Sequence, residues 1–102
     1  FGWAAAQADW AHAPGNYILL LDQAAPRAWP ITGATFILVD KNQDNAATGA
    51  DVLKFFDWAY RSGDRMAAAI DYVPLPLTVK NMVRKQWAAE IKAGGKPVYV
   101  SK

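Results

Sequence analysis

Between Arg27 and Asp40 runs a stretch without a single charge, Ala-Trp-Pro-Ile-Thr-Gly-Ala-Thr-Phe-Ile-Leu-Val over residues 28–39, and it constrains the fold more than any other feature. Its second half, Thr35 to Val39, joins β-branched, aromatic and aliphatic residues without interruption. A short continuous run of that kind suits a strand buried on both faces, as in a parallel or mixed sheet covered by helices. Trp29-Pro30 opens the run, where a proline that cannot donate to a ladder is tolerated. Gly33 lies in the middle, where a glycine costs packing unless the backbone bends or another group approaches closely. Two readings stay open on pattern alone: a central core strand, or a strand that also works as a hinge.

The remainder of the chain must supply whatever covers that strand. A length of 102 residues is enough for one domain with one core. Twenty of the apolar residues are alanine, so the five tryptophans and four phenylalanines carry much of the burial. Charge is unevenly placed: residues 1–77 carry a net −3 and residues 78–102 a net +5. A basic last helix could meet an acidic surface or nucleic acid, although a solvated face is the commoner reason for such a bias. No cysteine is present, which excludes disulfides and thiol chemistry. No apolar run reaches the roughly 20 residues of a membrane span. Phe1 is not an initiator methionine and no signal peptide is visible, so the chain is expected to start inside a longer protein.

Taken in order, Phe1 to Ala11 reads as the end of a helix, with Trp3, Gln7 and Trp10 at helical spacing. Pro14-Gly15-Asn16 is a turn signal. Tyr17 to Leu21 is long enough for a second strand. Asp40 to Asn45 is an exposed polar connection. Thr48 is expected to cap the next helix, with Asp51 at the capping-box position. Val52, Leu53, Phe56, Ala59 and Tyr60 form its apolar stripe, Arg61 lies near its negative pole, and Gly63 suits a left-handed cap. Asp64 should cap a short helix reaching about Ile70. Tyr72-Val73-Pro74-Leu75-Pro76 is stiff and extended. Thr78 is the expected cap of a last helix to about Lys92, with Val79, Met82, Val83, Trp87 and Ile91 inward and Lys80, Arg84, Lys85 and Lys92 on other faces. Gly94-Gly95 stops it, and residues 97–100 trail off extended.

Catalytic groupings are missing. His12 is the single histidine, so neither a histidine-pair metal site nor a triad with Ser62 or Ser101 is favoured, and a structural or surface role fits it best. The carboxylates lie singly in turns and caps, without acid/base spacing. Gly94-Gly95-Lys96 lacks the first glycine and the Ser/Thr of a phosphate-cradling loop. Aromatic and basic residues do not interleave as a nucleic-acid stacking platform requires. Residue chemistry alone describes an α/β packing unit that is not an enzyme, with no catalytic, metal or cofactor residues.

Several motifs in order do point to a family. Asp9-Trp10-Ala11-His12-Ala13-Pro14, Ala28-Trp29-Pro30-Ile31-Thr32, Thr35-Phe36-Ile37-Leu38, Val52-Leu53-Lys54-Phe55-Phe56-Asp57-Trp58-Ala59-Tyr60, Asp71-Tyr72-Val73-Pro74-Leu75-Pro76 and Val83-Arg84-Lys85-Gln86-Trp87 are followed by a closing Gly-Lys-Pro. Together they resemble the C-terminal third of the phosphate-binding proteins of bacterial high-affinity phosphate ABC transporters. The resemblance covers essentially the whole chain, and the Leu-Lys-Phe-Phe-Asp-Trp-Ala-Tyr run is its most specific part. Leu77-Thr78 departs from the Asp-Ser often found after the second proline, and Tyr17 to Leu21 is more apolar than the family leads one to expect.

The resemblance implies the C-terminal part of a two-lobed periplasmic-binding-protein fold (type II, clamshell), α/β in class, with helices packed on a mixed sheet. Residues 1–28 would end the second lobe, 29–39 would cross between lobes, and 40–102 would form C-terminal helices on the first lobe. Inorganic phosphate would be the ligand of the intact protein. Its ligands would come from the earlier two-thirds, so no ligand-binding residue is expected in this segment. Thr32 and Gly33 would form a hinge at the cleft floor. The implied partners are phosphate, the membrane permease subunits of the transporter and the remaining N-terminal part of the same protein. A monomer without nucleic acid is expected, in the periplasm, or anchored at the cell surface where the source has no outer membrane. The competing reading is a self-contained α/β interaction module using the basic C-terminal helix.

Overall fold

Helices form where the apolar spacing predicts them, and their ends differ in detail. The computed structural model describes residues 1–100. Its elements in order are α1 (Gly2–Gln7), a 3-10 turn (Pro14–Asn16), α2 (Ala46–Ser62), α3 (Asp64–Ala69), α4 (Leu77–Glu90), β1 (Lys92–Ala93) and β2 (Lys96–Pro97). Helix α1 stops at Gln7, short of Ala11, because Ala8 turns extended at ψ 141°. Trp10 then folds back, and its indole N–H donates to the Ala5 carbonyl at 2.8 Å. The expected helical placement of Trp10 is therefore replaced by a turn that seals the end of α1.

Four expected caps are corrected. Asn45, not Thr48, caps α2: its side-chain oxygen accepts from the Thr48 backbone N–H at 3.1 Å, satisfying one of the helix's open donors. Pro76 precedes α4, and Thr78 lies inside its first turn without a capping bond. Gly63 is right-handed, at φ −86° and ψ −8°, rather than left-handed. It is glycine for a different reason, since a Cβ there would stand 2.6 Å from the Ala59 carbonyl oxygen. Asp64 begins α3 instead of capping it.

The principal correction concerns the strands. Neither residues 17–21 nor residues 28–39 form a strand among the described residues. The sheet present is the two-stranded antiparallel hairpin of β1 and β2, pairing Lys92 with Pro97 and Ala93 with Lys96. Gly94 and Gly95 make its turn with φ of 56° and 79°, the paired left-handed conformation of a tight two-residue hairpin. Lys92, expected at the end of the helix, and Pro97, expected to begin an extended tail, are thus paired with each other. Lys92 is also tied to the connection after residue 39, donating to the Lys41 carbonyl at 2.8 Å and accepting from the Gln43 N–H at 2.7 Å.

Two small cores result. One gathers Ala5, Trp10, Leu20 and Val79, joining the first third of the chain to α4. The other gathers Leu53, Ile91, Val98 and Tyr99, with Val39 and Trp87 packed on it, joining α2 to the hairpin. The run over 29–38 stays outside both for most of its length: Trp29, Ile31 and Leu38 are 72%, 83% and 96% exposed. A radius of gyration of 14.6 Å exceeds the about 13 Å typical of a compact domain of this size. The shape is correspondingly long, 44 × 30 × 20 Å.

Candidate functional site

The densest polar grouping lies where α2 meets α4. Asp57 sits on the inner side of α2, and its Oδ1 accepts from Arg84 Nε at 2.7 Å across the helix pair. Arg61, one turn along α2, reaches the other carboxylate oxygen at 3.2 Å. The Tyr99 hydroxyl donates to Oδ1 at 3.4 Å, tying in the segment after the hairpin. Each carboxylate oxygen of Asp57 thus faces a guanidinium group, a charge-assisted arrangement. Nearby, Tyr60 stacks on Trp87 with ring centres 5.6 Å apart and planes 5° from parallel, and Trp87 meets Tyr99 edge-on. Burial raises the Tyr60 phenol above its ordinary value near 10, with the Arg84 charge opposing the shift.

A second ion pair crosses between the helices. Lys80 is 5% exposed, and its ammonium donates to Asp64 Oδ1 at 2.6 Å and to the Tyr60 carbonyl at 2.9 Å. Lys80 and Arg84 were expected on solvated faces of a basic helix. Both instead turn inward to acidic partners on α2 and α3, because residues 80 and 84 share one face of α4. That removes two charges from any basic docking surface on α4. The Asp57–Arg61 pair has the i,i+4 spacing of helix neighbours, whereas the Asp57–Arg84 pair depends on how two helices are set against each other.

The expected hinge residues lie away from this grouping. The Thr32 hydroxyl donates to the Leu20 carbonyl at 2.8 Å, and the Asp22 N–H donates to the Pro30 carbonyl at 2.9 Å. These bonds hold residues 20–22 beside residues 30–32. Gly33 is exposed, no neighbouring atom lies within 4 Å of where a Cβ would stand, and its φ is not positive. Its glycine is therefore not required by space or backbone handedness here. His12 stands at the surface, its Nδ1 2.9 Å from both carboxylate oxygens of Asp9. Ser62 is the last residue of α2, and Ser101 lies outside the described residues.

What this arrangement can do chemically is hold α2, α3, α4 and the C-terminal segment together. Among the described residues no group of three or more His, Cys, Asp or Glu side chains could hold a metal ion. None of the described helices is long and apolar enough to cross a membrane. A shallow depression lined by Thr78, Asn81, Lys85 and Glu90 is open to solvent.

No family model matches the chain. Similarity to individual proteins is clear. The chain is 42% identical over 89 residues to the phosphate-binding protein PstS of Haemophilus influenzae, covering 87% of this chain and 27% of that protein. It is 39% identical over 90 residues to the protein of the same name from Pasteurella multocida, covering 88% and 26%. A Xylella fastidiosa protein of that name is 36% identical over 92 residues, covering 90% and 25%. The chain thus spans about a quarter of the length of these relatives, and the match falls in their C-terminal part. Over nearly nine-tenths of its length, then, the chain is similar to the C-terminal part of proteins named phosphate-binding protein PstS.

Proposed function

We propose that the protein to which this chain belongs is a solute-binding protein that captures inorganic phosphate between two lobes and delivers it to the membrane permease subunits of an ABC importer. The observation that carries this reading is the 36–42% identity, over nearly nine-tenths of the chain, to proteins named phosphate-binding protein. It acts as a monomeric binding protein without enzymatic turnover or nucleic-acid partner. It works in the periplasm, or at the cell surface where the source has no outer membrane. The phosphate ligands lie in the preceding part of the polypeptide. Calorimetric titration tests this directly: full-length protein binds phosphate tightly, and the 102-residue chain alone binds none. Tight binding by the 102-residue chain would place ligands within it and overturn the assignment.

Within that protein, residues 1–28 close the second lobe, residues 29–39 cross between lobes, and residues 40–102 supply helices to the first lobe, all in a clamshell fold of type II. The division requires the contact of Trp10 and Leu20 with Val79 to be exchanged for others in the full-length protein. Thr32 and Gly33 form the flexing point of the crossing. Gly33→Val meets no steric bar in the present geometry, so its effect would come from stiffening by a β-branched residue. A hinge role predicts about tenfold weaker phosphate binding, about 1.4 kcal/mol, by the full-length variant. Unchanged affinity and unchanged closure kinetics would leave the segment as core only.

A further inference from the structure

Residues 29–33 have little packing to hold them. Trp29, Pro30, Ile31 and Gly33 are exposed, and only Thr32 is half-buried. A pair of hydrogen bonds to residues 20–22 fixes them instead. The Thr32 hydroxyl donates to the Leu20 carbonyl at 2.8 Å, and the Pro30 carbonyl accepts from the Asp22 N–H at 2.9 Å. Among the described residues no other hydrogen bond reaches residues 29–33. The other ends of these bonds are well seated. Leu20 is fully buried in a cluster with Ala5 and Trp10, and the Trp10 indole N–H is tied to the Ala5 carbonyl. Asp22, at φ 50°, is left-handed, which is uncommon outside glycine and makes a sharp turn there.

The two bonds close residues 22–30 into a loop and set the direction in which the chain leaves it. Gly33 is the first residue beyond them, and no atom stands within 4 Å of where its Cβ would be. The two residues of the flexing point thus differ: Thr32 is tied and Gly33 is free. We infer that Thr32 is a positioning residue for lobe closure, its hydroxyl pinning the crossing segment to the Leu20 carbonyl on the second-lobe side so that rotation begins at Gly33. This rests on the reading of the chain as part of a two-lobed phosphate-binding protein. The pin bears on binding because closure requires one direction of the segment. Without the hydroxyl, residues 30–32 sample further directions in the open protein, and closing must take that freedom away. The fraction of molecules able to close then falls, and the apparent affinity falls by the same factor.

Thr32→Val in the full-length protein keeps the size and β-branch of the side chain and removes the donor. Calorimetric titration should show phosphate bound about fivefold more weakly, the worth of one hydrogen bond, while Thr32→Ser, which keeps the hydroxyl, stays within about twofold of the parent. A purely structural role would lower the unfolding midpoint of Thr32→Val and leave its affinity at the parent value, which overturns the inference. Equal weakening by Val and Ser puts the effect on side-chain volume rather than on the hydroxyl and also overturns it. Thr32→Ala removes the same donor with a smaller side chain, so parental affinity in a folded Thr32→Ala protein overturns the inference even where Thr32→Val does not fold. Failure of the parent protein to bind phosphate brings down the proposed function and this inference with it. Parental binding that Thr32→Val leaves untouched brings down the pin alone.

Discussion

Residues 17–39 are richer in large apolar side chains than residues 46–99, 11 of 23 against 19 of 54, yet they find fewer partners within the chain. In the helical region Leu53 is buried against Ile91 and Val98, and Lys80 and Arg84 each meet a carboxylate. In the extended region Ile31 and Leu38 meet water and the backbone of residues 33–39 goes unpaired. The difference teaches what each kind of element needs. A helix closes its hydrogen bonds four residues away and needs a neighbour only for one stripe, whereas a strand depends on other strands for its backbone as well.

Paired truncations give the largest test of this contrast. Leu53→Ala should cost the full-length protein about 2–5 kcal/mol, the range for emptying a packed leucine site. Leu38→Ala should cost a similar amount if the extended face is covered there. A chemical unfolding midpoint unmoved by Leu38→Ala would break the comparison in favour of a permanently exposed segment. Next in size is the polar lock between α2 and α4. Asp57→Ala strands Arg84 in a mostly desolvated position, and unfolding measurements should register a loss of about 3 kcal/mol. Arg61→Ala, whose side chain is largely exposed, should cost no more than about 0.5 kcal/mol. Equal losses from the two would show that the cross-helix pair has no special weight.

The smallest expected effect is in the pH profile. The Tyr60 phenol has a folded-state pKa raised by burial, so its neutral form is the one the fold prefers. The stability tied to that preference is complete below the ordinary tyrosine value near 10 and is lost as pH rises through the higher folded-state value. Tyr60→Phe removes the ionisation, and the variant should lose less stability than the parent between neutral and strongly alkaline pH. Parallel alkaline profiles for parent and variant would exclude Tyr60 as the source.

Legibility in the sequence follows the same division. The stripe of Leu53, Phe56 and Tyr60 marked α2, and the prolines at 74 and 76 marked the entry to α4, because these signals are local. Asn45 was missed as a cap because Thr48 also fits the pattern, and the choice depends on where the polar connection enters the helix. The hairpin was missed because Gly94-Gly95 after a helical pattern reads equally well as a helix stop, and its strands are only two residues each.

By itself, then, the amino-acid order determined the helices, the uncharged run of residues 28–39 and the motif series that resembles phosphate-binding proteins. Tertiary structure decided that Lys80 and Arg84 turn inward, that Asp57 gathers two arginines and a tyrosine, and that the backbone of residues 33–39 stays unpaired here. The reason is physical. Helical periodicity is written into neighbouring residues, while ion pairing across helices and strand pairing depend on groups far apart in the chain.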